Sequence, residues 1–182
     1  MRDNAVTWLL LGALLGGVIN AAVRRYATFK EGKGIALAIQ GEITAIIEIV
    51  LKRRYLQHLE KIIQKLSDPA HQLTDNDFFS PRIRENYFPV FNSLANKVGL
   101  LVGRSDTVAD FYTKAKSIIE DIHALEEMRN KFPTGSKGID RPALLELTTE
   151  LRDLLHDALR IGIQTVEDLK NFQDRSWIFG IR

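Results

Sequence analysis

The sequence contains no cysteine in its 182 residues. Disulfide bonds, thiolate metal sites and a cysteine nucleophile are therefore excluded. A large excess of charge of either sign is also lacking, since 25 Lys and Arg face 23 Asp and Glu, and the apolar fraction is an ordinary 45%. This balance excludes a collagen-like, low-complexity or wholly disordered chain, and the length predicts a single domain.

Motifs of catalysis and nucleotide binding are lacking as well. There is no GxSxG, HExxH, EF-hand loop or GxGxxG, and residues 134–138 (TGSKG) have neither the first glycine of a P-loop nor a preceding strand. The four histidines show no triad spacing: His58, His71, His123 and His156. The sequence therefore favours a non-enzymatic protein without a cofactor, although a catalytic group assembled from distant residues stays open.

Two carboxylate-x-x-His pairs raise the question of a metal site. They are Glu120 with His123 and Asp153 with His156, to which Glu42 and Glu48 would add the bridging carboxylates of a di-metal bundle. At 100° per residue, Glu120 lies about 160° and His123 about 100° from the centre of their helix's apolar stripe, and the second pair lies similarly far from its own. Because ligands that face solvent cannot meet in a bundle core, we predict no metal site.

One long uncharged run is present at the N-terminus, where residues 5–23 read AVTWLLLGALLGGVINAAV. As a helix rising about 1.5 Å per residue, this run would span about 28 Å, close to the thickness of a hydrocarbon core. Trp8 lies near one end and Tyr26 just past the other, where aromatic rings favour the interfaces. The pattern predicts a membrane anchor over residues 1–27, with a buried core helix and a signal peptide as alternatives.

Cations follow this segment, whereas Arg2 before it is offset by Asp3. The flanking basic residues are Arg24, Arg25, Lys30 and Lys33. The positive-inside bias predicts an N-terminus outside and a C-terminal domain in the cytoplasm, with these side chains near lipid headgroups.

Small residues repeat within the segment at a spacing suited to close helix pairing. Gly12 and Gly16 form a GxxxG, Ala13 and Gly17 repeat the spacing, and Asn20 offers a hydrogen bond across a helix pair. The pattern is compatible with self-association in lipid, but glycine and alanine are also simply common in membrane helices.

The remainder of the chain has no run of alternating strand residues and is predicted to be all-α. We expect a polar link at 28–34, a bundle over 35–175 with about three long helices and several short ones, and an apolar tail at 176–182. Caps are predicted at Thr74, with Asp77 three residues later, and at Asp140 before the last helix.

The first long helix changes its apolar face partway along. One face is formed by Ile39, Ile43, Ile46, Ile47 and Val50, a candidate interface with the core, a second protomer or the membrane surface. Beyond residues 52–54 the apolar side chains lie on nearly the opposite side, so we expect a kink there or different neighbours for the two halves. Trp177 and Phe179 in the tail are candidates for folding back, for the membrane interface or for a partner's groove.

Charge and anchoring together lead to the functional hypotheses. Residues 1–67 carry a net charge of +5 and residues 68–182 one of −3, which fits membrane lipid better than nucleic acid, and no nucleic-acid motif is present. The leading hypothesis is a single-pass membrane protein whose bundle is an interaction or scaffolding module with a protein partner or self-association. The alternatives are a membrane-tethered ligand-sensing or regulatory bundle, and a membrane-active protein that also places residues 35–51 and the tail in lipid.

Overall fold

The computed structural model describes residues 2–81, 87–130 and 140–175, with side chains from residue 8 onward. The helices in these ranges are α1 (Arg2–Lys52), α2 (Tyr55–Ser67), α3 (Pro89–Leu94), α4 (Ser105–Asn130) and α5 (Arg141–Asp174). Two short 3₁₀ helices cover Asp75–Asp77 and Ala95–Leu100, and the described ranges contain no strand. The predicted all-α bundle with three long helices is confirmed.

Helix α1 runs without a break from the apolar N-terminal segment into the bundle. Residues 28–34, expected to be a polar link, are therefore helical. Three contacts fix them against the bundle: Phe29 with the Phe172 ring (centroids 6.0 Å apart), Glu31 with Lys97 (2.7 Å), and Gly32 with the Leu100 carbonyl oxygen, which would lie 3.0 Å from an added Cβ. These partners are distant in sequence, and their packing stabilises a helix that composition alone does not favour.

The expected kink is found between α1 and α2. Arg54 takes the left-handed conformation, with φ 54° and ψ 43°, and α2 starts at the next residue. One left-handed residue rotates the following helix about its axis, at a cost of about 1–2 kcal/mol for a side chain other than glycine. The rotation lets the apolar face of α2 meet the same partner helix that α1 packs against.

The partner common to both is α5, which pairs antiparallel with α4. Helix α1 packs on the first half of α4 and the last half of α5 in one buried cluster: Ile35, Ala36, Ile39, Ile43, Ile47, Phe88, Val98, Leu101, Val108, Phe111, Tyr112, Ala115, Ile161, Leu169 and Phe172. Helix α2 packs on the opposite halves in a second: Leu59, Ile62, Leu66, Phe78, Phe79, Ile122, Leu125, Leu144, Leu151 and Leu155. The bundle thus has a proximal end, where α1 enters at residues 28–34, and a distal end at residues 67–77, 126–130 and 140–146.

The candidate interface on α1 lies inside this bundle. Ile39, Ile43 and Ile47 are buried in the first cluster, while Ile46 and Val50 are partly buried against the two clusters. A second protomer or the membrane surface has no open access to this face, because α4, α5 and the segment around Phe88 already cover it. Of the three alternatives for this face, the packing supports an intramolecular core.

Both predicted caps are present. The Thr74 hydroxyl and amide both donate to the Asp77 carboxylate in a capping box, and the Asp140 side chain accepts from the Ala143 amide at 3.3 Å. The connector between α2 and α3 buries Phe78, Phe79 and Phe88, as its aromatic content favours.

Candidate functional site

The first half of α1 presents an apolar surface that the described chain leaves uncovered. Its large apolar side chains are between 47% and 74% exposed: Trp8, Leu9, Leu10, Leu11, Leu14, Leu15, Val18, Ile19 and Val23. Among the described helices, α1 alone is long and apolar enough to cross a membrane, by length and composition. An exposed apolar area of this kind marks a contact with lipid or protein.

The small residues of this segment are also uncovered. A Cβ atom added at Gly12, Gly16 or Gly17 would meet nothing within 4 Å, and Asn20 is exposed. The described part of the chain therefore leaves the GxxxG face uncovered.

The flanking cations lie where α1 leaves the apolar segment. Arg24, Arg25 and Lys30 are exposed, and the Lys33 ammonium lies 5.0 Å from the centre of the Phe29 ring, a cation–π contact. The other basic cluster, residues 52–54, is separated from Arg24 by about 42 Å along α1. It therefore does not belong to the same patch.

Charge is distributed unequally between the two ends of the bundle. At the proximal end, residues 24–34, 95–104 and 170–175 contain eight Lys and Arg against two Asp and Glu. At the distal end, residues 67–77, 126–130 and 140–146 contain two against seven. Segments far apart in sequence contribute to each end, so only the fold reveals this polarity.

The hydrogen bonds of Glu42 beside the first core cluster are the main feature that the sequence did not predict. The Glu42 carboxylate accepts hydrogen bonds from the Val90 amide (2.8 Å), the Phe91 amide (3.0 Å) and the Tyr112 hydroxyl (2.6 Å). It thereby joins α1, the start of α3 and α4. The available signal was its place between Ile39 and Ile46, three and four residues away on the apolar face.

Tyr112 is the buried partner in this arrangement, with 1% of its surface exposed. The Phe91 ring stacks on it with centroids 3.8 Å apart, and the Phe88 ring meets it edge-on at 5.3 Å. Burial first, and then the hydrogen bond to Glu42, raise the pKa of Tyr112 above its ordinary value. The hydroxyl therefore remains protonated and acts as a structural donor.

A fully buried carboxylate, that of Asp77, holds the distal connector. It accepts from the Lys65 ammonium (3.1 Å), the Thr74 amide (2.7 Å) and hydroxyl (2.9 Å), and lies 2.9 Å from His71 Nε2. Burial alone would raise the pKa of Asp77, but the hydrogen bonds from His71, Thr74 and Lys65 outweigh it and lower the pKa to about 2. Arg141 completes the connection by donating to the His71 carbonyl oxygen at 2.7 Å.

This lowered pKa predicts a loss of stability in acid. Ionised Asp77 contributes about 2 kcal/mol that is fully present above pH 4 and is lost as the pH falls from about 4 towards 2. We expect Asp77→Asn to remove this component, so that urea unfolding of the full chain in detergent micelles becomes less pH-dependent in that range. Asp75→Asn, in the same turn but 78% exposed, is the control; equal pH profiles for wild type and Asp77→Asn would contradict the assignment.

An apolar cavity of about 80 Å³ lies where the two core clusters meet. Its described walls include Ile47, Phe79, Phe111, Ile122, Leu151 and Leu155. Neither Glu48, which is exposed, nor Tyr112 lines it. Neither residue therefore supplies this cavity with a polar recognition group.

The carboxylate and histidine pairs considered as metal ligands lie on exposed helix faces. Glu120, His123, Asp153 and His156 are all exposed, and His123 Nδ1 lies 3.6 Å from a Glu126 oxygen. No group of three His, Asp or Glu residues in the described ranges could hold a metal ion.

Some predicted features fall outside the described residues. These are Trp177 and Phe179 in the tail and the turn at 134–138. Comparisons with protein-family models, with curated proteins and with solved structures found no match to this chain.

Proposed function

We propose that this protein is a single-pass membrane protein whose cytoplasmic helical bundle is a non-enzymatic interaction or scaffolding module. The observation that carries the proposal is the exposed apolar half of α1, joined without a break to a bundle that completes its two cores without it. A core helix would have its apolar side chains covered, and lipid is the environment that suits them.

The charge polarity of the bundle supports the orientation. Its basic proximal end adjoins the apolar segment, and basic residues next to a span favour the cytoplasmic side. Arg24 and Arg25 follow the span directly. The N-terminus is then outside, and the acidic distal end points away from an anionic leaflet that would repel it.

The polar side chains of the described core are used in structural hydrogen bonds, which supports a binding role over catalysis. Glu42, Tyr112 and Asp77 each have structural partners that use their polar atoms. The surfaces left for a partner are the free GxxxG face in the membrane, suited to self-association, and the acidic distal end, suited to a basic protein partner.

A ligand-sensing bundle is the second candidate, and the apolar cavity favours it. Walls of aliphatic and aromatic side chains would accept a small apolar molecule. The membrane-active alternative is less well supported, because the apolar face of residues 35–51 is used in the core. A bound apolar molecule that copurifies from native membranes, in place of a stoichiometric protein partner, would favour sensing.

Alkaline extraction and cysteine labelling test the anchor and its orientation. We expect the full-length chain to stay in the membrane pellet at high pH. Because the protein has no cysteine, a single Ile163→Cys on α5 should react with a membrane-impermeant maleimide only after the cytoplasmic face is opened. Release of the chain by alkali would overturn the anchor, whereas labelling from outside would overturn the orientation alone.

A further inference from the structure

The proximal end of the bundle carries an exposed apolar turn at residues 101–104. Leu101 is fully buried at its base, whereas Val102 is 74% exposed at its tip. Gly103 takes a φ of 72°, which directs the chain back into α4. Single exposed valines are ordinary on protein surfaces. The position of Val102 relative to α1 is therefore what indicates whether it contacts the membrane.

The turn lies close to the end of the apolar segment. The Leu100 carbonyl oxygen contacts α1 at Gly32, and Lys97 pairs with Glu31. Gly32 is six residues, about 9 Å, along the helix from Tyr26, the aromatic residue expected at the interface. The headgroup layer extends about 5–8 Å beyond the hydrocarbon on each side, and an ordinary tilt of about 20° brings one side of the helix lower. The turn is thus within reach of the headgroups.

The charges of the proximal end match an anionic surface. The basic residues of the proximal end come from all three segments that meet there: Arg24, Arg25, Lys30, Lys33, Lys97, Arg104, Lys170 and Arg175. Glu31 and Asp174 are the acidic residues in the same segments, and Glu31 is already paired with Lys97. An exposed apolar side chain on a cation-rich end of the bundle is the composition of surfaces that rest on anionic lipid.

We propose that the proximal end of the bundle docks on the anionic headgroups of the membrane that α1 crosses, through Val102 and the cations of the same end, among them Lys30 and Arg175. This contact rests on the proposed function, because it requires α1 to lie in the bilayer. It adds a second attachment, which sets the orientation of the bundle and keeps the acidic distal end away from the membrane.

Site-directed fluorescence in the full chain tests the contact. Val102→Cys is labelled with an environment-sensitive fluorophore and reconstituted into phosphatidylcholine vesicles with or without phosphatidylserine. A nitroxide on the lipid headgroup serves as quencher. The matched control is Ile163→Cys, an exposed apolar position (51%) whose neighbour Gly162 faces Ile47, about 22 Å further along α1 from Gly32.

We expect several-fold stronger quenching of the label at position 102 than of the label at position 163 in phosphatidylserine vesicles. That difference should be lost in the Lys30→Glu/Arg175→Glu variant. Equal quenching at the two positions would overturn the docking. If quenching of the label at position 102 were the same with and without phosphatidylserine, and the same in the charge-reversal variant, the role of the cations would be overturned.

A third label, at Leu15→Cys within the apolar segment, separates this proposal from the anchor. Quenching of that label by a nitroxide on the acyl chain shows that α1 is in lipid. If it is quenched and the label at position 102 is not, the docking fails and the anchor stands; if it is not quenched, both fail.

Discussion

The double substitution Leu11→Lys/Leu15→Lys is expected to release the protein from the membrane. Both side chains are exposed on one face of the apolar segment, at 47% and 62%. Each lysine near the middle of a span costs about 2.5–3.5 kcal/mol on insertion scales, so the pair opposes insertion by about 5–7 kcal/mol. The fraction of full-length chain that resists alkaline extraction should fall sharply.

The control for this variant uses the same helix. Leu37 and Ile49 are also exposed apolar residues of α1, at 62% and 45%, but lie beyond the apolar segment. Leu37→Lys/Ile49→Lys should leave membrane association unchanged. If both double variants were released equally, or neither were, the apolar segment would not be the anchor.

Glu42→Ala is expected to produce the largest loss of stability within the bundle. Removal of the carboxylate leaves the Val90 amide, the Phe91 amide and the Tyr112 hydroxyl without their acceptor. Each lost bond to a charged group is worth about 1.5–3 kcal/mol, and partial access of water reduces the sum to about 3–5 kcal/mol. Urea unfolding of the full chain in micelles, followed by circular dichroism, measures the change.

Two matched variants sharpen this test. Tyr112→Phe removes only one of the three hydrogen bonds and should cost about 1–2 kcal/mol. Glu48→Ala removes an exposed carboxylate on the same helix and should change stability by less than about 0.5 kcal/mol. If Glu42→Ala behaved like Glu48→Ala, the carboxylate would not hold the three elements together.

Local patterns predicted the parts of the fold that depend on local physics. The change of apolar face at residues 52–54 correctly indicated the break, and Asp140 was recognisable as a cap because capping involves residues three apart. In the last helix, Leu144, Leu151 and Leu155 recur at helical spacing in the sequence and are buried. Periodicity shows which face of a helix is apolar, and these apolar faces are largely the buried faces in the structure.

Features that depend on distant partners were not predictable in this way. Residues 28–34 look like a link because their own side chains are polar, but Phe172 and Lys97 reach them from elsewhere in the chain. Gly162 is another case: an added Cβ would lie 2.8 Å from the Phe111 ring. That close approach is a property of two packed helices, and nothing in the local sequence marks it.

The unbroken course of α1 makes the apolar segment and the bundle mechanically one body. Residues 24–52 form an arm about 42 Å long beyond the segment, and a rotation of about 10° at the interface would swing Lys52 sideways by about 7 Å. Since close-packed interiors transmit displacement with little slack, α4 and α5 must follow the arm. With the apolar segment in a bilayer, as proposed above, a change in bilayer thickness that alters the tilt of the span would displace the acidic distal end sideways.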